Sequence, residues 1–139
     1  MTIRNAVLIV DKKADTSGQI SEELRKQGRH SISVEHPATI LPLIESRDRI
    51  YTIVLVDQGL SLDDVTEDIR ILKQLGPGVP IVVSMAENSP QKEKEVRKAG
   101  IAFYHVKGNG MEELIKAVVS VMEHAIMRGN FIASLDTDK

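Results

Sequence analysis

The stretch IVLVDQGLSLDD at residues 53–64 decides how this chain is read. Four branched apolar residues end abruptly on a carboxylate, Asp57; Gly59 follows, and then Leu62, Val65, Ile69 and Leu72 recur at helical spacing. A short unbroken apolar run is a strand covered on both faces, as in a parallel sheet. The runs AVLIV (6–10) and PIVVS (80–84) have the same character and join it in the middle of that sheet. ISVEH (32–36) alternates apolar with polar residues and AFYHV (102–106) carries a histidine, which suits strands nearer an edge.

Helical patterns separate these strands. Residues 16–28 open with a capping box of Thr16 and Gln19, keep Ile20 and Leu24 on one face and stop at Gly28. The helix that begins at Leu62 ends at Gly76 and Pro77. Residues 37–47 would bury Ile40, Leu41 and Ile44 as a helix, with Pro42 distorting it from inside. The segment SPQKEKEVRKA (89–99) has little apolar surface beyond Val96 and Ala99, so packing holds it loosely. The clearest period is the last, through Met111, Leu114, Ile115, Val118, Val119, Met122, Ala125 and Ile126. Five strands alternating with five helices make an α/β fold, a parallel sheet doubly wound by helices on both faces. One domain is expected over residues 1–127, followed by an aperiodic tail at 128–139 that is either frayed or an interaction segment.

Composition narrows the functions open to it. With 139 residues a single domain buries enough core to need no staple, and the absence of cysteine removes disulfides, thiolate metal clusters and thiol nucleophiles. A net charge of -2 with both signs interspersed offers no basic face for nucleic acid or anionic lipid. Aromatic residues make up 3% of the chain, too few for stacking on bases or on a flavin. The first apolar run is too short for a signal peptide or a membrane span, which suits a cytoplasmic protein. DKKADTSGQISE (11–22) has acids at some places of a calcium loop but Lys13 and Thr16 at others, and KGNG (107–110) is no phosphate-binding loop. His30, His36, His105 and His124 share no ligand spacing and read as structural.

In a doubly wound sheet the functional site lies beyond the carboxyl ends of the strands. Asp11 follows the first strand, Asp57 the third, Ser84 ends the fourth and Lys107 follows the fifth, so all four converge on one rim. A carboxylate nucleophile, a second carboxylate for a hard cation, a hydroxyl and an ammonium form a set suited to a phosphoryl group.

The order and spacing of VLIVDK, TIVLVDQGL, PIVVSMA and AFYHVK resemble a response-regulator receiver domain of two-component signalling, over residues 5–127. The resemblance implies a flavodoxin-like sheet of order 2-1-3-4-5, with Asp57 as phosphoacceptor. It implies Mg2+ held by Asp11, Asp57 and the Gly59 backbone, Ser84 and Lys107 on the phosphoryl oxygens, and Ser84 with Tyr104 as the switch. The partners it implies are a sensor histidine kinase or phosphotransfer protein, a downstream effector, and a second copy of the chain through Val121, Ile126 and Met127. Such a domain is a switch and no enzyme; a phosphatase using Asp57 would need a general acid where Gly59 stands.

Three residues depart from the pattern. Lys12 stands where the family has a second acid, so Asp11 and Asp57 are cancelled by Lys12 and Lys107 and a divalent cation loses attraction. Lys12 is expected to pair with Asp57 in the metal's place. Met85 follows Ser84 where a small residue is usual, and its long side chain is expected to obstruct the phosphoryl group; Gly108 follows Lys107 in place of proline. The alternative function is therefore a pseudo-receiver, the same fold serving as a phosphorylation-independent interaction module.

Overall fold

The computed structural model describes residues 2–14, 16–57, 59 and 61–134. Strands β1 (Arg4–Asp11), β2 (His30–Val34), β3 (Asp48–Asp57), β4 (Ile81–Met85) and β5 (Phe103–Val106) form a parallel sheet in the order β2-β1-β3-β4-β5. Helices α1 (Ser17–Lys26) and α4 (Met111–Arg128) cover one face, and α2 (Leu62–Leu75) and α3 (Pro90–Lys98) cover the other. This is the doubly wound sheet and strand order expected. Among the described residues no helix is long and apolar enough to cross a membrane.

Strand alternation divides the core in two. Ala6, Leu8, Val10, Ile53, Leu55, Ile81 and Val83 pack under α2 and α3, while Val7, Ile9, Val54, Val56 and Val82 pack under α1 and α4. Both faces of β1, β3 and β4 are apolar because both are covered, which is why these three strands were legible as continuous runs. The weakly apolar α3 is fixed by the buried Val96 and by Ser89, whose hydroxyl accepts from Lys92 N at 3.1 Å.

Two expectations are corrected. Residues 37–47 form no α-helix; Pro37–Thr39 and Leu41–Leu43 are single 3-10 turns, and Ile40 and Ile44 are still buried. Pro42 lacks the N–H that an α-helical turn needs, and the tighter turns place the same apolar residues without it. Nor is the tail frayed where it is described: Ile132–Ala133 form β6, antiparallel to β3 with Ile50 opposite Ile132 and Arg49 opposite Ala133. Phe131 packs against Tyr51 with the rings tilted by 55° at 5.4 Å between centroids, under the Arg49 guanidinium, and the rest of the predicted tail, 135–139, lies outside the described residues.

The lower rim of the sheet carries a charged cluster. Asp48, buried at the start of β3, accepts from Arg4 Nε at 2.8 Å and from Glu45 N at 3.1 Å. Burial pushes its carboxyl up, but Arg4 and the backbone donor outweigh this and hold it below the usual range. His30 Nε2 lies 3.8 Å from Asp48 Oδ1, yet burial first and the Arg4 charge second push the imidazole below 6.5. The unfolded chain therefore takes up this proton first as pH falls. Stability is full above 6.5, declines as pH falls from 6.5 toward the depressed folded-state value, and flattens below it. Urea unfolding of the parent should show this decline, and His30→Gln should remove it; an unchanged slope would assign it to another group.

Candidate functional site

The upper rim is built by the strand ends. Asp11 and Asp57 end β1 and β3, each 1% exposed, and Lys107 follows β5 in a 3-10 turn, Lys107–Asn109. Alternation turns Asp11 toward the α1 and α4 face. There its Oδ2 accepts from Thr16 N and Ser17 N, both at 2.9 Å, and its Oδ1 from Lys13 N at 3.3 Å. Asp11 is thus the cap of α1, with a carboxylate placed favourably at a helix N-terminus. The predicted Thr16 capping box is corrected accordingly: Thr16 makes no side-chain cap bond, and its hydroxyl accepts from Lys107 Nζ at 3.3 Å.

Asp57 continues the alternation of Ile53 and Leu55 and so lies on the α2 and α3 side. In the β3–β4 register Asp57 stands beside Met85, and Val56 beside Ser84. Paired residues of parallel strands share a face, so the side chain abreast of Asp57 is the Met85 thioether, 1% exposed. Ser84 points to the opposite face, where its hydroxyl lies 2.9 Å from His105 Nδ1, and His105 Nε2 lies 2.9 Å from the Gly110 carbonyl. A carbonyl only accepts, so Nε2–H donates to it and the remaining nitrogen, Nδ1, accepts from the Ser84 hydroxyl. Both side chains are buried, and the pair ties β4 and β5 to the start of α4. The expectation that Ser84 meets phosphoryl oxygens beside Asp57 is corrected by this register.

Lys12 is on the α2 side of β1, and its Nζ lies 3.2 Å from Asp68 Oδ2 of α2. The partner of Lys12 is therefore Asp68, not Asp57 as expected. Asp68 is 3% exposed, on the helix face that also carries Val65, Ile69 and Leu72. Counting it, the upper end of the sheet and α2 carry three carboxylates, Asp11, Asp57 and Asp68, against the two ammonium groups of Lys12 and Lys107.

Tyr104 is buried on the same side. Its hydroxyl donates to Asn88 Oδ1 at 2.8 Å and its ring lies under Arg97 of α3 at 5.4 Å. Burial, followed by the nearby Glu93, holds its hydroxyl above the usual 10.0. Gly59 sits just past Asp57 with φ +91, a left-handed turn that favours glycine. In the expected dimer segment Met127 is 85% exposed, whereas Val121 and Ile126 pack against the α4 core.

The residues present fit a divalent cation poorly. Asp11 already accepts three backbone N–H groups, an ammonium stands where a second acid is needed, and among the described residues no three His, Cys, Asp or Glu side chains group to hold a metal.

Three features of this rim were missed from sequence: His105 as the partner of Ser84, Asn88 on Tyr104, and Asp68; Met85, expected to obstruct a phosphoryl group from its place after Ser84, stands abreast of Asp57 itself. Asp68 left a signal, an acid within the apolar stripe Val65, Ile69 and Leu72.

No protein-family model matches the chain, and no curated protein matches it. Solved structures do. A CheY-like receiver domain protein from Methanospirillum hungatei superposes with a TM-score of 0.71 at 15% identity, covering 92% of this chain and 100% of that one. A response regulator receiver protein from Pseudomonas putida gives 0.67 at 19% identity, covering 86% and 99%. An orphan response regulator of H. pylori gives 0.66 at 15% identity, covering 88% and 99%. The chain has the CheY-like fold of response-regulator receiver domains.

Proposed function

We propose that this chain is a receiver-fold interaction module that works without phosphorylation, presenting a fixed surface to a protein partner. The observation that carries the reading is the register that sets Met85 beside Asp57. A thioether is a weak acceptor and no donor, so it cannot hold a phosphoryl oxygen, and the nearby hydroxyl of Ser84 is committed to His105. Asp57 is 1% exposed, so burial shields the carboxylate from an incoming phosphodonor. The elements that would have to move in a switch are each pinned: α2 by Lys12–Asp68, the β4–α3 loop by Tyr104–Asn88, and the start of α4 by His105.

A second reading keeps Asp57 as acceptor of a phosphoryl group from a histidine kinase or phosphotransfer protein, with Lys107 on its oxygens, Mg2+ at Asp11, Asp57 and the Gly59 backbone, and an effector downstream. It is favoured by Asp11, Asp57 and Lys107 standing at three strand ends of one rim. Intact mass after incubation with acetyl phosphate and Mg2+ separates the two. The expected result is no added phosphoryl group on the folded protein; a gain that Asp57→Asn abolishes would make the second reading correct.

A further inference from the structure

We propose that the Lys12 ammonium, anchored on Asp68, is a resident cation that completes the strand-end acidic site, so that the site neither needs nor admits a divalent metal. The inference rests on the phosphate-independent reading of the same site. Three observations meet here. Asp68 is a carboxylate buried on the apolar stripe of α2, a position with no reason to be acidic unless a cation faces it. The cation that faces it is Lys12, at 3.2 Å, which reaches across from the tip of β1 and is itself 29% exposed. Asp57 ends the neighbouring strand, where alternation with Ile53 and Leu55 sends its side chain to the side covered by α2, and the ion pair with Asp68 puts the Lys12 ammonium on that same side.

The geometry gives the ammonium two tasks. It offsets negative charge on the side of the sheet covered by α2, to which Asp57 and Asp68 belong, and it ties α2 to the end of β1 through one ion pair. A hydrated divalent ion asks for several oxygen ligands in one cavity, whereas an ammonium asks for one or two acceptors and brings its own tether. Asp11, spent on the N-terminus of α1, is not available to rebuild the larger ligand set. Asp68 is then a positioning residue: it acts by holding Lys12.

The test uses the whole chain and paramagnetic Mn2+ as a probe of divalent sites, read by amide NMR. In the parent, Mn2+ should leave the amides around Asp11 and Asp57 unbroadened and Mg2+ should not shift the melting temperature. In Lys12→Asp, which removes the ammonium and adds a carboxylate, the same amides should broaden and Mg2+ should raise the melting temperature. Should that variant fail to fold, Lys12→Gln with Asp68→Asn removes both charges together and should show stronger Mn2+ broadening than the parent. Broadening at Asp11 and Asp57 in the parent, or none in any folded variant, would overturn the proposal. A parent that binds Mn2+ yet gains no phosphoryl group would sink the resident cation alone, whereas a phosphorylated parent would sink the functional reading beneath it.

Discussion

Lys12→Met should cost about 3 kcal/mol of unfolding free energy, and Asp68→Asn only about 1 kcal/mol, although each removes one half of the same ion pair. The asymmetry follows from where the halves sit. The Asp68 side chain is 4% exposed and that of Lys12 is 29% exposed. Without Lys12, a carboxylate stays in an apolar stripe among Val65, Ile69 and Leu72 with its cation gone, and breaking a pair in that sense is the costly direction. Without the charge on Asp68, the Lys12 stem can stay packed while its ammonium turns to water. Replacing both, Lys12→Met with Asp68→Leu, should recover most of the loss, since an apolar pair of similar volume has no charge to desolvate. Chemical denaturation of the four proteins reads the cycle directly. Equal losses for the two single variants would mean that solvent reaches Asp68 freely, and additive losses in the double variant would mean that the two side chains do not act as a pair.

The same residues show what a single sequence can disclose. Parallel strands covered on both sides announce themselves by unbroken apolar runs, so β1, β3 and β4 were legible, as was the convergence of Asp11, Asp57 and Lys107 on one rim, while the strand order came only from the family resemblance. Which face each rim residue takes was not, because a shift of one residue at a strand end exchanges the faces. Ending the fourth strand at Ser84 made a hydroxyl the neighbour of Asp57, whereas the strand extends to Met85 and the thioether takes that place. Partners that come from other elements were hidden for a different reason. Nothing in the spacing of residues 11–16 says that Lys12 reaches α2, and the Ser84–His105 bond depends on the β4–β5 register. Thr16 and Gln19 satisfy the local capping pattern, but the tip of β1 lies close enough for Asp11 to cap α1 instead, a tertiary contact overriding a local rule.

Ile132→Ala should lower stability by about 2 to 3 kcal/mol, the cost of a large-to-small change in a packed core. For a frayed tail, which the aperiodic sequence after Arg128 suggested, the same change would cost almost nothing. Ile132 is 4% exposed, pairs with Ile50 and belongs to the core under α2 and α3. Its side chain lies over Gly76 at the end of α2: a Cβ added at Gly76 would come within 2.5 Å of Ile132 Cγ1 and 3.2 Å of Val79 Cγ2. The backbone of Gly76 has φ -136, which any residue adopts, so its glycine is required by the approach of Ile132 and not by the turn. Gly76→Ala should therefore destabilise by displacing β6, while the combination with Ile132→Ala should cost less than the two changes added, because the new methyl enters space that the isoleucine has vacated. Strict additivity would mean that Gly76 and Ile132 do not touch in solution. A negligible cost for Ile132→Ala would return residues 129–134 to the frayed state that their sequence alone implies. The measured cycle thus decides whether this segment closes the lower end of the core or merely follows the last helix.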